Sequence, residues 1–123
     1  MNKEVLEVIA STRFATIATL TADGAPYATP ITYQFKDGRF TWNSSSDSIH
    51  SQNIVRDGRA SLSIIEDGAD DIRAVYINGK SFATNEISFD EKWSQNLQVF
   101  EMYLGELDAD KSTPGRFYFR GNK

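Results

Sequence analysis

The sequence predicts a mainly β domain with flanking helices, its strands expected to close into a small antiparallel barrel of about six. Three observations predict this. Apolar and polar residues alternate with period two in several runs, turn signals such as Asp-Gly separate many of those runs, and helical periodicity is confined to short stretches. With 123 residues, 40% hydrophobic and 24% charged, residues 1–123 read as a single globular domain. A domain of this size hides roughly two-thirds of the surface its unfolded chain exposes, so no disulfide is needed.

Residues 2–11 place Val5, Leu6 and Ile9 on one stripe, the pattern of a short helix. Residues 13–21 are rich in Thr, Ile and Phe and stop at Ala22-Asp23-Gly24, a hairpin signal. In 26–35, Tyr27, Thr29, Ile31, Tyr33 and Phe35 alternate with smaller or polar residues, a half-buried strand. Pro30 inside it marks an edge, a bulge or a place where the backbone N–H is not needed. Lys36-Asp37-Gly38 then turns the chain into a strand at 39–43.

A polar run follows, Ser44 to Ser48, in which Ser46 or Asp47 is expected to cap a helix reaching about Asp57, with Gly58 as its stop. Period two resumes at 59–65 and again over 72–86, where Gly79 suggests a bulge or a close backbone approach. Ser88-Phe89-Asp90-Glu91 fits a capping box, so a helix is expected next. That helix would carry Phe89, Trp93, Leu97, Phe100 and Leu104 on one face, read mainly as core packing. Residues 107–113 read as loop and 116–120 as the last strand. Closing the sheet removes exposed edges, and so small a barrel is filled by its own side chains. A sizeable ligand must then bind in a groove or between subunits.

Composition excludes much chemistry. Without Cys there are no thiol nucleophiles, thiolate zinc sites or iron–sulfur clusters, and one His leaves little room for a His-rich metal centre. The net charge of −4 argues against non-specific binding to nucleic acid or an anionic membrane. No apolar run approaches a membrane span and the N-terminal stretch is not a signal peptide, so a cytoplasmic protein is expected. Glu66, Asp67, Asp70 and Asp71 lack an oxygen-ligand spacing and read as a solvated loop. Phosphate-loop, Rossmann and nucleophile-elbow motifs are absent. Acidic residues concentrate in the second half; the first 62 residues balance six acids with six bases, so an anion site is expected there.

Residues 41–59 offer what a phosphate requires: a helix start, hydroxyls, and cations in His50, Arg56 and Arg59. Helix capping alone would also explain the serines, and helix-end charge the arginines.

The order of several pieces resembles the FMN-binding split-barrel family related to pyridoxamine 5′-phosphate oxidase. The pieces are Phe14-Ala15-Thr16-Ile17-Ala18-Thr19, then Asp23-Gly24-x-Pro26 and Pro30. Ser48-Ile49-His50-Ser51-Gln52-Asn53-Ile54, Asp57 to Leu62, and Val75 to Ser81 complete the pattern. The resemblance implies a split antiparallel β-barrel forming a homodimer, with FMN across the subunit interface. It implies that Ala28, Thr29, Pro30, Ile31 and Thr32 line the flavin, joined by Trp42, Asn43 and Ser44. It assigns Ser48, Ile49 and His50 to the ribityl phosphate; the aromatic stripe, read mainly as core, could alternatively place Trp93 or Phe100 over a flavin from the other subunit.

This chain departs from many relatives in having Ile49-His50 where two cations are common, and Thr29 where the oxidases proper often have Arg. The basic C-terminal match of those oxidases is absent too, so a substrate other than pyridoxamine phosphate is expected. The resemblance thus implies an FMN-dependent oxidoreductase acting on a small molecule. Its alternatives are a flavin-binding redox or stress sensor, a deazaflavin F420-dependent reductase of the same fold, and a ligand-free dimer.

Overall fold

A computed structural model describes residues 2–68 and 70–121. Helix α1 (Lys3–Ser11) begins at Asn2, whose side chain accepts from the amides of Glu4 and Val5, and it buries Val5, Val8 and Ile9. Strands β1 (Phe14–Leu20) and β2 (Pro26–Thr32) form a hairpin, followed by β3 (Gln34–Lys36) and β4 (Arg39–Ser44). Helix α2 (Ile49–Arg56) and strand β5 (Arg59–Ile65) lead to the long β6 (Ala74–Asp90). Strands β7 (Gln95–Tyr103), β8 (Glu106–Leu107) and β9 (Arg116–Gly121) complete the chain.

The protein is mainly β, but with nine strands among the described residues where about six were expected, because the strand expected over 26–35 divides into β2 and β3, and β7 and β8 were not foreseen as strands. The hydrogen-bonded path runs β2-β1-β5-β6-β7-β4-β3 and does not close. Its two ends, β2 and β3, are joined only through Tyr33, so the barrel is split along that seam. The 17-residue β6 is the corner: its first half pairs with β5 and its second with β7, and the register slips between Ala83 and Ile87. Strand β9 joins β6 in parallel, the one departure from antiparallel pairing in the described sheet.

The helix expected after residue 88 is a β-hairpin. Phe89 pairs with Asn96 and Asp90 with Gln95 across a turn in which Ser94 has φ of 51°. The helical reading failed because Phe100, Met102 and Leu104 also obey period two, and β4 and β6 pair with both edges of β7. Phe100 and Leu104 are core residues, whereas Phe89 and Trp93 are exposed. At α2 the cap is Ser48, not Ser46 or Asp47, and the helix ends on an extended Asp57.

The core lies between the sheet faces, with Ile17, Phe40, Leu62, Ile64, Ile77, Phe100 and Met102 almost wholly buried. Tyr33 anchors the seam from inside. Its hydroxyl donates to the carbonyls of Ile9 (2.7 Å) and Thr12 (3.0 Å), and burial pushes the phenol pKa up to about 12. Gly79 causes no bulge, since its pairing with Ala60 is in register; it allows a close approach instead. A Cβ there would sit 1.9 Å from the carbonyl oxygen of Gly121. Gly105 is tighter still, with φ of +75° and 1.7 Å between an added Cβ and the Arg120 oxygen. Gly105→Ala is therefore expected to destabilise by roughly 2–4 kcal/mol through left-handed strain and backbone displacement. Urea unfolding should show a lower midpoint at unchanged slope.

Candidate functional site

The seam creates the site. Strand β2 pairs only with β1, so its other edge is free. Tyr33 N–H donates to the Arg13 carbonyl (2.9 Å), which turns the backbone of odd-numbered residues toward β1. Ala28, Pro30 and Thr32 alternate with them, so their backbone polar groups face away from β1. Pro30 has no N–H to leave unpaired there, which is why an edge tolerates it.

Opposite that edge, β4 ends at Asn43 and Ser44, and α2 begins. Ser44 Oγ and His50 Nε2 lie 2.9 Å apart. Pro30, Ile31, Thr32, Asn43, Ser44, His50 and Phe14 line a cavity of about 340 Å³. Burial holds the His50 pKa below its usual value, which favours the neutral imidazole. A bound anion would reverse this by favouring the charged ring.

Helix α2 is pinned in place from its other end. Asn53, which is buried, donates through Nδ2 to Thr19 Oγ1 (3.0 Å). Its Oδ1 accepts from Arg56 Nη2 (2.7 Å), and the same guanidinium nitrogen donates to the Leu20 carbonyl (2.6 Å). Arg56 is thereby engaged with the β1 end, and Arg59 is paired with Asp57. Neither reaches the cavity.

Six of the expected residues thus meet around one cavity: Pro30, Ile31, Thr32, Asn43, Ser44 and His50. Trp42 is buried and lines a neighbouring cavity of about 640 Å³ that shares Thr32 and Asn43 with the first. Its indole N–H has no partner among the described residues. The others lie elsewhere. Ala28 is exposed further along β2, and Thr29 points inward, paired with Ile17. The Ser48 hydroxyl is occupied at the helix cap, donating to the Ser45 carbonyl (2.8 Å) and lying 2.6 Å from Ser51 Oγ. Ile49 is exposed and outside the cavity wall, and Trp93 lies in the β6–β7 turn, where it stacks with Lys92.

Sequence reasoning missed Phe14 and Arg13. Phe14 pairs with Thr32 on the outer face of β1, a large aromatic where alternation calls for a polar residue; that misfit was the signal. Gln34, Thr41, Asp90 and Leu97, which complete the larger cavity, gave none. Among the described residues no cluster of His, Asp and Glu could hold a metal ion, and no helix is long and apolar enough to cross a membrane.

An open, mainly antiparallel barrel with a cavity at its seam defines the class: a split-barrel β protein. The sequence profile described as pyridoxamine 5′-phosphate oxidase matches residues 1–116, and the chain belongs to that family. No curated protein matches it. Among solved structures it is similar to a heme-binding protein of Mycobacterium smegmatis, with 23% identity and a TM-score of 0.65 over 81% of this chain and 49% of that one. A conserved hypothetical protein of Mycobacterium tuberculosis shares 28% identity, with a TM-score of 0.62 over 70% of this chain and 55% of its own. The chain therefore spans about half the length of those two proteins. An FAD-binding protein of Mesorhizobium loti aligns with a TM-score of 0.65 at 16% identity, over 81% of this chain and 85% of that one.

Proposed function

We propose that this protein is a cytoplasmic FMN-binding flavoprotein, a homodimer that acts as an oxidoreductase on a small molecule. The observation that carries the reading is the seam cavity, where the free β2 edge faces the Ser44–His50 pair. FMN is a dianion at one end and a heteroaromatic ring with hydrogen-bonding edges at the other. Ser44, His50 and the Asn43 amide suit the phosphate. The free backbone groups of β2 suit the ring edge, because a strand edge offers donors and acceptors in a fixed row. The bound isoalloxazine would supply the electron-transfer chemistry; the chain positions it and sets the local field.

The homodimer reading rests on exposure. His50 is only half-buried, and Phe14 and Pro30 also line a further cavity of about 590 Å³ on the outer sheet face. Beside it Thr16 and Ser63 present short side chains, and Tyr76 and Tyr118 stack at 4.7 Å. A second copy laid on this face would cover both cavities.

Titrating the purified full-length chain with FMN, FAD, F420 and hemin, followed by flavin fluorescence or heme absorbance, tests the reading. Saturable FMN binding at one per chain is expected. Indifference to FMN overturns it, and selective uptake of hemin or F420 replaces it with a heme or deazaflavin function. Steady NAD(P)H oxidation beyond one cycle per flavin separates an enzyme from a sensor.

The pH dependence has a definite sign. In the free protein the His50 pKa lies below its ordinary value, and a dianionic phosphate beside it raises it. Binding therefore takes up a proton, and this part of the affinity is present below the free-state pKa and lost as pH rises through the bound-state pKa. FMN is expected to bind more weakly at about pH 8.5 than at about pH 6.5, a range in which its phosphate, with a second pKa near 6, stays largely dianionic. A flat profile in calorimetric titrations would remove His50 from the phosphate site.

A further inference from the structure

The larger cavity at the seam, about 640 Å³, carries two opposed charges that the reading above leaves unused. Arg13 and Asp90 both line it, together with Gln34, Thr41 and Asn43. The cavity continues the smaller one through Thr32 and Asn43, so a ligand whose phosphate sits at His50 extends its ring into this space or over the outer sheet face. Its polar wall and the outward backbone of Thr32 favour the first course.

Arg13 is held near this space from two sides. Its carbonyl accepts the Tyr33 amide at 2.9 Å, and its guanidinium carbon lies 5.3 Å from the ring centre of Phe14, itself a wall of the smaller cavity. Among the described residues Arg13 makes no ion pair, unlike Arg39, Arg59, Arg73 and Arg120. The Asp90 carboxylate accepts the Trp93 amide at 3.3 Å and belongs to the β6–β7 hairpin.

We propose that Arg13 and Asp90 set the redox balance of the flavin bound here, with Arg13 stabilising the reduced form and Asp90 opposing it. The inference rests on the FMN reading. Two electrons and one proton convert neutral oxidised isoalloxazine into a reduced ring that carries one negative charge. A cation beside the ring then favours the product over the reactant, and a carboxylate does the reverse. Because the cavity is open in a single chain, solvent screens both charges until a bound flavin covers it.

The test is the midpoint potential of FMN bound to the full-length protein, measured by dithionite reduction against indicator dyes. Arg13→Gln is expected to weaken binding of reduced FMN relative to oxidised FMN by about tenfold, a midpoint about 30 mV lower for a two-electron couple. Asp90→Asn, which keeps the oxygen that accepts the Trp93 amide, is expected to move it upward by a similar amount, and Arg13→Lys to leave it near the parent value. Unchanged midpoints in both charge-removing variants, with FMN still bound, overturn the proposal. So does an equal loss of oxidised and reduced FMN in Arg13→Gln, which would make Arg13 an anchor only. A parent protein that binds no FMN overturns the underlying reading instead, and is distinguished by the parent titration alone.

Discussion

Phe100→Ala is expected to lower stability by about 3–5 kcal/mol, the range for removing a large aromatic from a packed core. Phe100 is 0% exposed, its ring lies parallel to that of Trp42 at 6.1 Å, and its neighbours across the sheet are Trp42 on β4 and Ala83 on β6. The cavity left behind cannot collapse easily, because strands on both sides of β7 are held by backbone ladders. Trp93→Ala is the informative companion. Its side chain is 66% exposed in the hairpin turn, so the change should stay within about 0.5 kcal/mol. On a single amphipathic helix the two aromatics would share one buried face and both would be costly. Urea midpoints for the two variants therefore test the hairpin directly, and similar large losses at both positions would contradict it.

His50→Ala is expected to weaken FMN binding by about 1.5–3 kcal/mol, or roughly ten- to a hundredfold, the worth of a hydrogen bond to a charged group. Among the described residues lining the smaller cavity, His50 is the one that can carry a positive charge, and Arg56 is tied to Leu20 and Asn53, and Arg59 to Asp57. Because burial favours the neutral free imidazole, part of the charge interaction is spent on protonating it, and the loss should shrink as pH rises. Ser44→Ala removes the partner 2.9 Å from Nε2 and should cost less, since the ring remains. Isothermal titration of parent and variant settles the assignment. Identical FMN affinities across the pH range would mean that the phosphate lies elsewhere.

Part of the candidate site lies in short segments of the chain. Asn43, Ser44 and His50 fall within eight consecutive positions, and the family resemblance pointed to Pro30 and Thr32, which the structure places on the outward row of β2. Motif spacing does not reveal that the Ser48 hydroxyl is engaged at its own helix cap. Arg13 and Asp90 were invisible, being 77 positions apart and joined only when β7 folds back along β6 and β4.

The same division runs through the whole molecule. Strands β1, β2, β4 and β5, the first helix, the turn at Gly38 and the family resemblance were readable from the chain alone. All of these depend on neighbours a few residues apart, and steric alternation writes them directly into the chain. The strand at residues 95–103, the parallel course of β9 beside β6 and the open gap between β2 and β3 arise instead from long-range pairing. Those choices depend on which distant edge satisfies each backbone N–H and C=O, and local periodicity carries no record of that partner.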